Sequence, residues 1–247
     1  MIHLRRTVPA IAIAWVAVLV VGCPSKDPGE LVEQAQAQLK AREFDRAIGS
    51  LTRAVRIDSG LAEVWMLRGR AHGERGFARE DGNDFGRAIH DFTRALMLRP
   101  DLADAFYFRG SAFHAVGRTE DAFRDLGRAI ELRPGFAEAF LLRGTIHASL
   151  GRYDSALVDL DQAVGLSPGE PNVHMVKGLV YEEMGRDDDA VVAYESFISL
   201  VGTDPTMAVE VEAMEQRIHE IKSGLKTRVL ADPHKDSGSG KDDPGRE

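Results

Sequence analysis

The sequence predicts an all-α protein in which short helix–turn–helix repeats stack into a solenoid. Three prolines, Pro100, Pro134 and Pro168, stand at a constant interval of thirty-four positions. Glycine keeps the same interval at 110, 144 and 178, as does alanine at 122, 156 and 190. A fixed period of this length indicates a repeat architecture, because one unit is too small to bury its apolar face alone and must stack on its neighbours.

The period extends upstream with one interruption. Leu31 and Trp65 keep the common interval, whereas Ala47 and Ala88 are separated by seven positions more. Because Gly76 also precedes its counterpart Gly117 by this longer interval, seven residues are inserted at 77–83. The five predicted repeats span 28–61, 62–102, 103–136, 137–170 and 171–204.

Each repeat is predicted to contain two amphipathic helices. In the third repeat, apolar residues recur at helical spacing at Phe106 and Phe113, and a second stripe begins at Ala122. Gly117 between the two stripes is suited to ending the first helix. Asp101 is expected to cap the start of that helix, where a carboxylate meets unpaired amides.

The glycines at 110, 144 and 178 lie inside a predicted helix. Glycine there costs about 1 kcal/mol relative to alanine, so we expect these positions to allow close approach of the second helix. The alanines at 122, 156 and 190 are expected to supply the matching small surface.

These residues resemble the pattern of the tetratricopeptide repeat family. In the third repeat the matching positions are Phe106, Gly110, Phe113, Ala122, Leu126, Ala129 and Pro134. The fourth repeat departs from the pattern, with Arg143 where the family usually has leucine and His147 where it usually has tyrosine. The resemblance implies a right-handed superhelical solenoid whose first helices line a concave face that receives peptides.

Carried onto this sequence, the resemblance implies a peptide-binding groove formed by side chains of repeats two to five. Its residues are Met66, Arg70, Tyr107, Ser111, His114, Leu141, Thr145 and Met175. Four of them form an apolar stripe of the kind that receives a helix or an extended peptide: Met66, Tyr107, Leu141 and Met175. The arginines at 68, 109 and 143 either form a ladder with Lys177 or extend between stacked repeats, and the second interpretation is favoured.

The composition argues against a nucleic-acid partner and against catalysis. The formal net charge is −8, and every Asp and Glu follows residue 22, so the chain lacks the basic excess that phosphate binding requires. The histidines at 72, 90, 114, 147, 174 and 219 form no recognisable metal-ligand pair, and no glycine-rich phosphate loop is present. We expect no cofactor, no metal and no enzymatic activity.

Residues 1–22 have the layout of an export signal, with Arg5 and Arg6 before an apolar run from Ala10 to Val21. The following Cys23 is the only cysteine of the chain, so it has no partner for an internal disulfide. The sequence before it, Leu-Val-Val-Gly, resembles a bacterial lipobox. The resemblance implies lipid attachment at Cys23 and, with Pro24 next to it, an address in the outer membrane facing the periplasm.

Three segments complete the predicted organisation. Residues 23–29 form a short lipidated linker, residues 205–230 a helix that caps the last repeat, and residues 231–247 a disordered tail with little apolar content. The insertion at 77–83 is interpreted as a lengthened helix hairpin, with a role as a partner contact left open.

The sequence therefore predicts a membrane-anchored, non-enzymatic protein-binding scaffold. Its architecture is similar to that of the pilotin lipoproteins that assemble type IV pilus secretins, which favours an assembly factor for an envelope machine. The alternative is an adaptor that docks an envelope protease or peptidoglycan enzyme to its substrates. The partner and the oligomeric state are left open.

Overall fold

A computed structural model describes residues 27–224 of the chain. The predicted signal peptide, Cys23 and the predicted tail at 231–247 lie outside the described residues. The helices are α1 (Pro28–Lys40), α2 (Phe44–Ile57), α3 (Ala62–Arg79), α4 (Gly82–Leu98), α5 (Ala103–Ala115), α6 (Thr119–Leu132), α7 (Ala137–Ser149), α8 (Tyr153–Leu166), α9 (Pro171–Glu183), α10 (Asp187–Val201) and α11 (Ala208–Ser223). A short 3-10 helix, Pro205–Met207, precedes α11. The all-α prediction is confirmed.

The helices form five antiparallel pairs that stack in chain order, so each helix packs on the helices before and after it. The odd-numbered helices of successive repeats also contact one another, whereas the even-numbered helices do so far less. The row therefore bends, with the odd-numbered helices on its inner, concave face. Within residues 27–224, no helix is both long enough and apolar enough to cross a membrane.

The turns of the last three helix pairs contain a glycine in a left-handed conformation, whereas Arg42 and Glu80 adopt positive φ in the first two pairs. Gly117, Gly151 and Gly185 have φ of +75°, +69° and +71°, a left-handed conformation that costs glycine nothing. Asp101 does not cap α5, contrary to the prediction. The helix begins at Ala103 with Leu102 as its cap residue, so the Asp101 carboxylate is one position too early to reach the first amides.

The insertion lengthens one helix pair. Helices α3 and α4 have 18 and 17 residues, compared with 13 and 14 for α5 and α6. Gly76, the counterpart of the turn glycines, lies within α3 and is buried against the ring of Phe85. The extra turn of α3 carries Phe77, whose ring meets Phe85 edge-on at 4.7 Å.

The glycines inside the odd-numbered helices mark the closest helix contacts. A methyl group at Gly110 would lie 3.1 Å from Leu126 Cγ, one at Gly144 would lie 3.0 Å from Leu160 Cγ, and one at Gly178 only 2.3 Å from the Tyr194 ring. The expected close approach is therefore present. Its side-chain partner is a large residue of the second helix, whereas the predicted small residue Ala122 contributes its carbonyl oxygen.

Buried ion pairs are made by Arg109 and Arg143, which directly precede Gly110 and Gly144, and by Arg68 in the second repeat. Arg109 donates to Asp125 through Nε and Nη2 at 2.6 and 2.9 Å, and Asp125 is 4% exposed. Arg68 and Arg143 contact Asp91 and Asp159 in the same two-point geometry. Neither interpretation offered from the sequence included these carboxylate partners, which lie on the second helix of the same repeat.

These ion pairs also join neighbouring repeats. Arg109 donates to the Thr93 hydroxyl on α4 at 3.1 Å, so one guanidinium holds three helices together. The fifth repeat lacks the pair because Ala193 stands where an aspartate is found in the second to fourth repeats. Its Lys177 instead reaches back to Asp161 on α8 at 2.6 Å.

Helix α11 covers the end of the last repeat. Its Met214 is buried with Tyr194 and Phe197 of α10, and Arg217 pairs with Glu182 of α9 at 2.9 Å. Tyr194 donates to the same Glu182 carboxylate at 2.7 Å. The helix ends at Ser223, where Gly224 adopts a left-handed conformation with φ +75°. The rest of the predicted segment, 225–230, lies outside the described residues.

The first helix begins at the predicted overlap of the linker and the first repeat. Pro28 and Gly29, which were assigned to both, are the first residues of α1. Asp27 caps this helix by accepting a hydrogen bond from the Gly29 amide at 2.9 Å, and a proline fits the first helical position because its missing N–H has no partner there.

Asp125→Ala is expected to lower the free energy of unfolding by about 3 kcal/mol, because it leaves the Arg109 charge buried without its partner. Glu131→Ala breaks an exposed pair with Arg128, at 67% and 49% side-chain exposure, and should cost less than about 1 kcal/mol. Urea unfolding followed by circular dichroism measures both. The double variant Arg109→Leu/Asp125→Leu should recover most of the loss, and equal losses in the two single variants would contradict a structural role for the buried pair.

Candidate functional site

The eight predicted groove residues all lie on the odd-numbered helices that form the concave face. Helix α3 carries Met66 and Arg70, α5 carries three of the eight, α7 carries Leu141 and Thr145, and α9 carries Met175. In the structure, five of them line two adjoining cavities and the other three are packed against neighbouring side chains.

The first cavity, here called the acidic cavity, has a volume of about 320 Å³ and lies between the start of α7 and the start of α9. It is lined by Tyr107, Ala137, Glu138, Leu141, Leu142, Thr145, Ser167, Glu170, Asn172 and Val173. Three predicted groove residues, Tyr107, Leu141 and Thr145, are therefore brought together here. Leucine and valine side chains form an apolar surface between two glutamates.

The second cavity, here called the aromatic cavity, has a volume of about 170 Å³ and lies beside the lengthened end of α3. It is lined by Arg70, Gly73, Glu74, Phe77, Phe92, Tyr107, Phe108, Ser111 and Ala112. Arg70, Ser111 and Tyr107 of the predicted groove belong to it. Tyr107 lines both cavities and so forms the wall that they share.

Three predicted groove residues line neither of these cavities. Met66 packs against the buried cluster of Phe92 and its neighbours, and Met175 packs against the C-terminal cluster around Tyr194. The Nδ1 atom of His114 is buried and has no hydrogen-bond partner among the described residues. The concave apolar stripe is thus interrupted by side chains that serve the packing between repeats.

Several residues that line the cavities are not among the eight predicted groove residues, and they include Glu138, Glu170, Phe77 and Phe108. Glu138 follows Asp104 by one full repeat, so the repeat register alone could have placed it on the concave face. Phe77 carries no such signal, because it stands inside the insertion and has no counterpart in the other repeats.

Some charged side chains around the cavities make an ion pair with a neighbouring residue, and others do not. Arg70 donates to Glu74 at 2.6 Å, which neutralises both charges at the aromatic cavity. Arg133 is held by both carboxylate oxygens of Asp104, at 3.0 and 2.6 Å. Glu138, in contrast, makes no ion pair within 4 Å among the described residues, and together with burial it raises the pKa of Tyr107, burial being the larger cause.

Within residues 27–224, the histidines belong to no cluster of three metal-ligating side chains. His147 packs on the Phe123 ring at 4.5 Å, and its Nδ1 atom is buried without a hydrogen-bond partner in this part of the chain. Burial lowers the pKa of both His114 and His147. For His147, Asp159 opposes the shift, whereas Arg143 and Arg152 add to it.

Comparison with known proteins gives a consistent result for the fold. A family model described as tetratricopeptide repeat matches residues 32–76, 74–135, 115–171 and 141–205. A crystal structure of MamA is 25% identical, covers 67% of this chain and 93% of its own, and has a TM-score of 0.58. No curated protein matches the sequence.

Two further solved structures share the fold. YrrB, described as a TPR protein with an unusual peptide-binding site, is 22% identical over 76% of this chain and 93% of its own, with a TM-score of 0.55. TTC0263, a TPR protein of Thermus thermophilus, is 20% identical over 77% of this chain and 100% of its own, with a TM-score of 0.64.

Replacing the two buried imidazoles is expected to make the stability of the protein less sensitive to acid. In the unfolded chain a histidine takes up a proton near pH 6.5, whereas His114 and His147 stay neutral to lower pH in the folded protein. The unfolded state therefore binds more protons, and the free energy of unfolding falls as the pH drops below about 6.5.

The variant His114→Leu/His147→Phe should lose less stability than the native protein between pH 7.5 and pH 5.5, as measured by urea unfolding. Phenylalanine suits position 147 because Phe113 occupies the corresponding place in the preceding repeat. Parallel losses in the two proteins over this pH range would show that these imidazoles do not titrate differently on unfolding.

Proposed function

The chain belongs to the tetratricopeptide repeat family, and we propose that it is a non-enzymatic scaffold that holds a segment of a partner polypeptide on its concave face. The observation that carries this proposal is the pair of adjoining cavities on either side of Tyr107. Cavities that are mostly apolar, with a few convergent polar groups, are typical binding sites. The description of YrrB as a protein with a peptide-binding site supports a peptide as the ligand.

We further propose that the scaffold is tethered to a bacterial envelope membrane through lipid at Cys23. The sole cysteine and the lipobox-like sequence before it support this proposal. The first repeat begins at Pro28, five residues after Cys23, so the linker spans at most about 18 Å. A tether this short would keep any bound partner close to the bilayer and raise its effective concentration there.

Within this proposal, the partner is a subunit of an envelope machine, such as a secretin of a type IV pilus or secretion system, at the outer membrane. The support is architectural, because a lipidated repeat protein with a binding groove is suited to delivering a subunit to its membrane. The alternative, an adaptor for an envelope protease or peptidoglycan enzyme, is distinguished by the partner's identity: an integral outer-membrane subunit supports the first role and a soluble hydrolase the second.

The variant Tyr107→Glu/Leu141→Glu is expected to lose its partner. Both side chains line the acidic cavity, and two added carboxylates would have to be desolvated when a ligand covers them. The measurement is crosslinking in intact cells followed by purification of the protein and identification of the attached polypeptides.

The matched control is Val158→Glu/Val192→Glu. These valines are 63% exposed on α8 and α10, outside the concave face, so the control adds the same two charges without touching the cavities. Retention of the partner by the control and its loss from the groove variant would support the proposal. Equal capture by all three proteins would exclude the groove as the binding surface.

Cys23→Ser is expected to move the protein from the membrane fraction to the soluble fraction, because serine offers no thiol for lipid attachment. Metabolic labelling with a clickable fatty acid, followed by membrane flotation, measures both modification and location. Ser25→Ala serves as the control, since it changes a neighbouring hydroxyl and leaves the thiol in place. Labelling of the Cys23→Ser protein would rule out this cysteine as the lipid site.

A further inference from the structure

We propose that the acidic and aromatic cavities together recognise one extended peptide segment in which a large apolar side chain and a lysine or arginine are separated by one intervening residue. This inference rests on the proposed function and names the chemistry of the ligand. Three features support it: the walls of the aromatic cavity, the carboxylates of the acidic cavity that make no ion pair within 4 Å, and the residue that both cavities share.

The aromatic cavity is suited to an apolar side chain. Phe108 stacks on Phe92 with ring centroids 6.0 Å apart, and Phe77 adds a third ring that is 59% exposed. Of the described residues, the only charged ones that line the cavity are Arg70 and Glu74, which neutralise each other at 2.6 Å. An apolar group placed here would cover exposed aromatic surface and would leave no charge without its partner.

The insertion creates this cavity in its present form. In the third, fourth and fifth repeats the first helix ends just before its turn glycine, whereas α3 continues past Gly76 and carries Phe77 on its extra turn. Phe85 supports the ring from beneath at 4.7 Å. The seven extra residues therefore give the second repeat an aromatic wall that those repeats lack, which explains why an apolar anchor would bind at this end of the groove.

The acidic cavity is suited to a cationic side chain. No lysine or arginine is among the described residues that line it, and Glu138 makes no ion pair within 4 Å there. Glu170 uses its Oε1 atom to accept from the amide and side chain of Asn172, at 3.2 and 2.8 Å. Its second carboxylate oxygen has no such bond, so one oxygen of Glu170 and both of Glu138 can accept from a ligand.

The apolar part of the same cavity favours lysine or arginine over a small cation. Leu141, Leu142 and Val173 lie between the two glutamates, and a long basic side chain can place its methylene groups on such a surface while its charged end meets the carboxylates. The neighbouring Arg133 acts on Glu138 only through space, because both of its hydrogen bonds are made with the oxygens of Asp104, so Glu138 keeps its oxygens for a ligand.

Tyr107 connects the two cavities and indicates that one segment fills both. Its ring lines each cavity, and its hydroxyl makes no hydrogen bond within residues 27–224. That hydroxyl is available to a peptide backbone that crosses the ring. Alternate side chains of an extended segment point the same way, so one segment that crosses Tyr107 can present two side chains to the same face of the groove.

The first test is a selection of phage-displayed random 12-residue peptides on the purified full-length protein, with a parallel selection on Tyr107→Glu/Leu141→Glu. Peptides kept by the native protein and lost on the groove variant should be enriched severalfold, relative to the starting library, in Lys or Arg within three residues of Phe, Leu, Ile or Met. Groove-dependent peptides without basic enrichment would overturn the inference and leave the proposed function intact. If no selected peptide depended on the groove, the proposed function itself would fail.

A charge reversal tests the acidic cavity directly. Glu138→Lys should shift the selected peptides from basic toward acidic residues at the same distance from the apolar anchor. Glu120→Lys makes the same charge change on the exposed side of α6, outside both cavities, and should leave the selection unchanged. An unaltered peptide preference in Glu138→Lys would overturn the assignment of this site.

Phe77→Ala tests the aromatic cavity. The best native-selected peptide, labelled with fluorescein, should bind this variant about tenfold more weakly by fluorescence anisotropy, a change of about 1.4 kcal/mol. Met97→Ala is the control, because Met97 is 69% exposed on α4 and lines neither cavity. Equal affinity of Phe77→Ala and the native protein, with unchanged helix content by circular dichroism, would show that the insertion does not contribute to binding.

Discussion

The structure depends on how closely the two helices of each repeat approach one another. A methyl group added at Gly69 or Gly178 would lie 2.9 or 2.3 Å from an opposing ring, which excludes a larger residue without movement of that ring, and at Gly110 and Gly144 it would lie in tight contact at 3.1 and 3.0 Å. The arginine before Gly69, Gly110 and Gly144 is thereby brought within reach of a buried aspartate on the second helix. Close packing and the buried ion pair thus fix the same helix pair, and the stacking of such pairs produces the concave face.

A repeat period can be counted in the sequence because several positions have steric requirements that few residues meet. Glycine at a left-handed turn and alanine or glycine at a tight helix contact recur for steric reasons, and their spacing can be counted. The buried aspartates Asp91, Asp125 and Asp159 also recur at the repeat interval, yet they were missed. An acidic residue on an amphipathic helix is usually exposed, and only the position of the paired arginine on the facing helix shows that these are buried.

The candidate site was less predictable for a related physical reason. The repeat register predicts which side chains lie on the concave face, but it does not predict which of them are buried against a neighbouring repeat. Met66 and Met175 pack against the buried apolar clusters of the adjacent helices, whereas Tyr107 and Leu141 line a cavity. Cavities arise from what neighbouring helices leave unfilled, so they depend on the packing of several repeats and not on any single position.

Departures from the repeat pattern set this chain apart from a generic array. A perfectly regular solenoid would offer the same surface in every repeat and would not fix the position of a ligand along its length. The extra turn that carries Phe77 and the glutamates at 138 and 170 occur at different repeats, so they distinguish one end of the groove from the other. An apolar anchor on one side of Tyr107 and a basic anchor on the other would fix both the register and the direction of a bound segment. With the tether proposed at Cys23, a fixed direction would also determine which part of the partner faces the membrane.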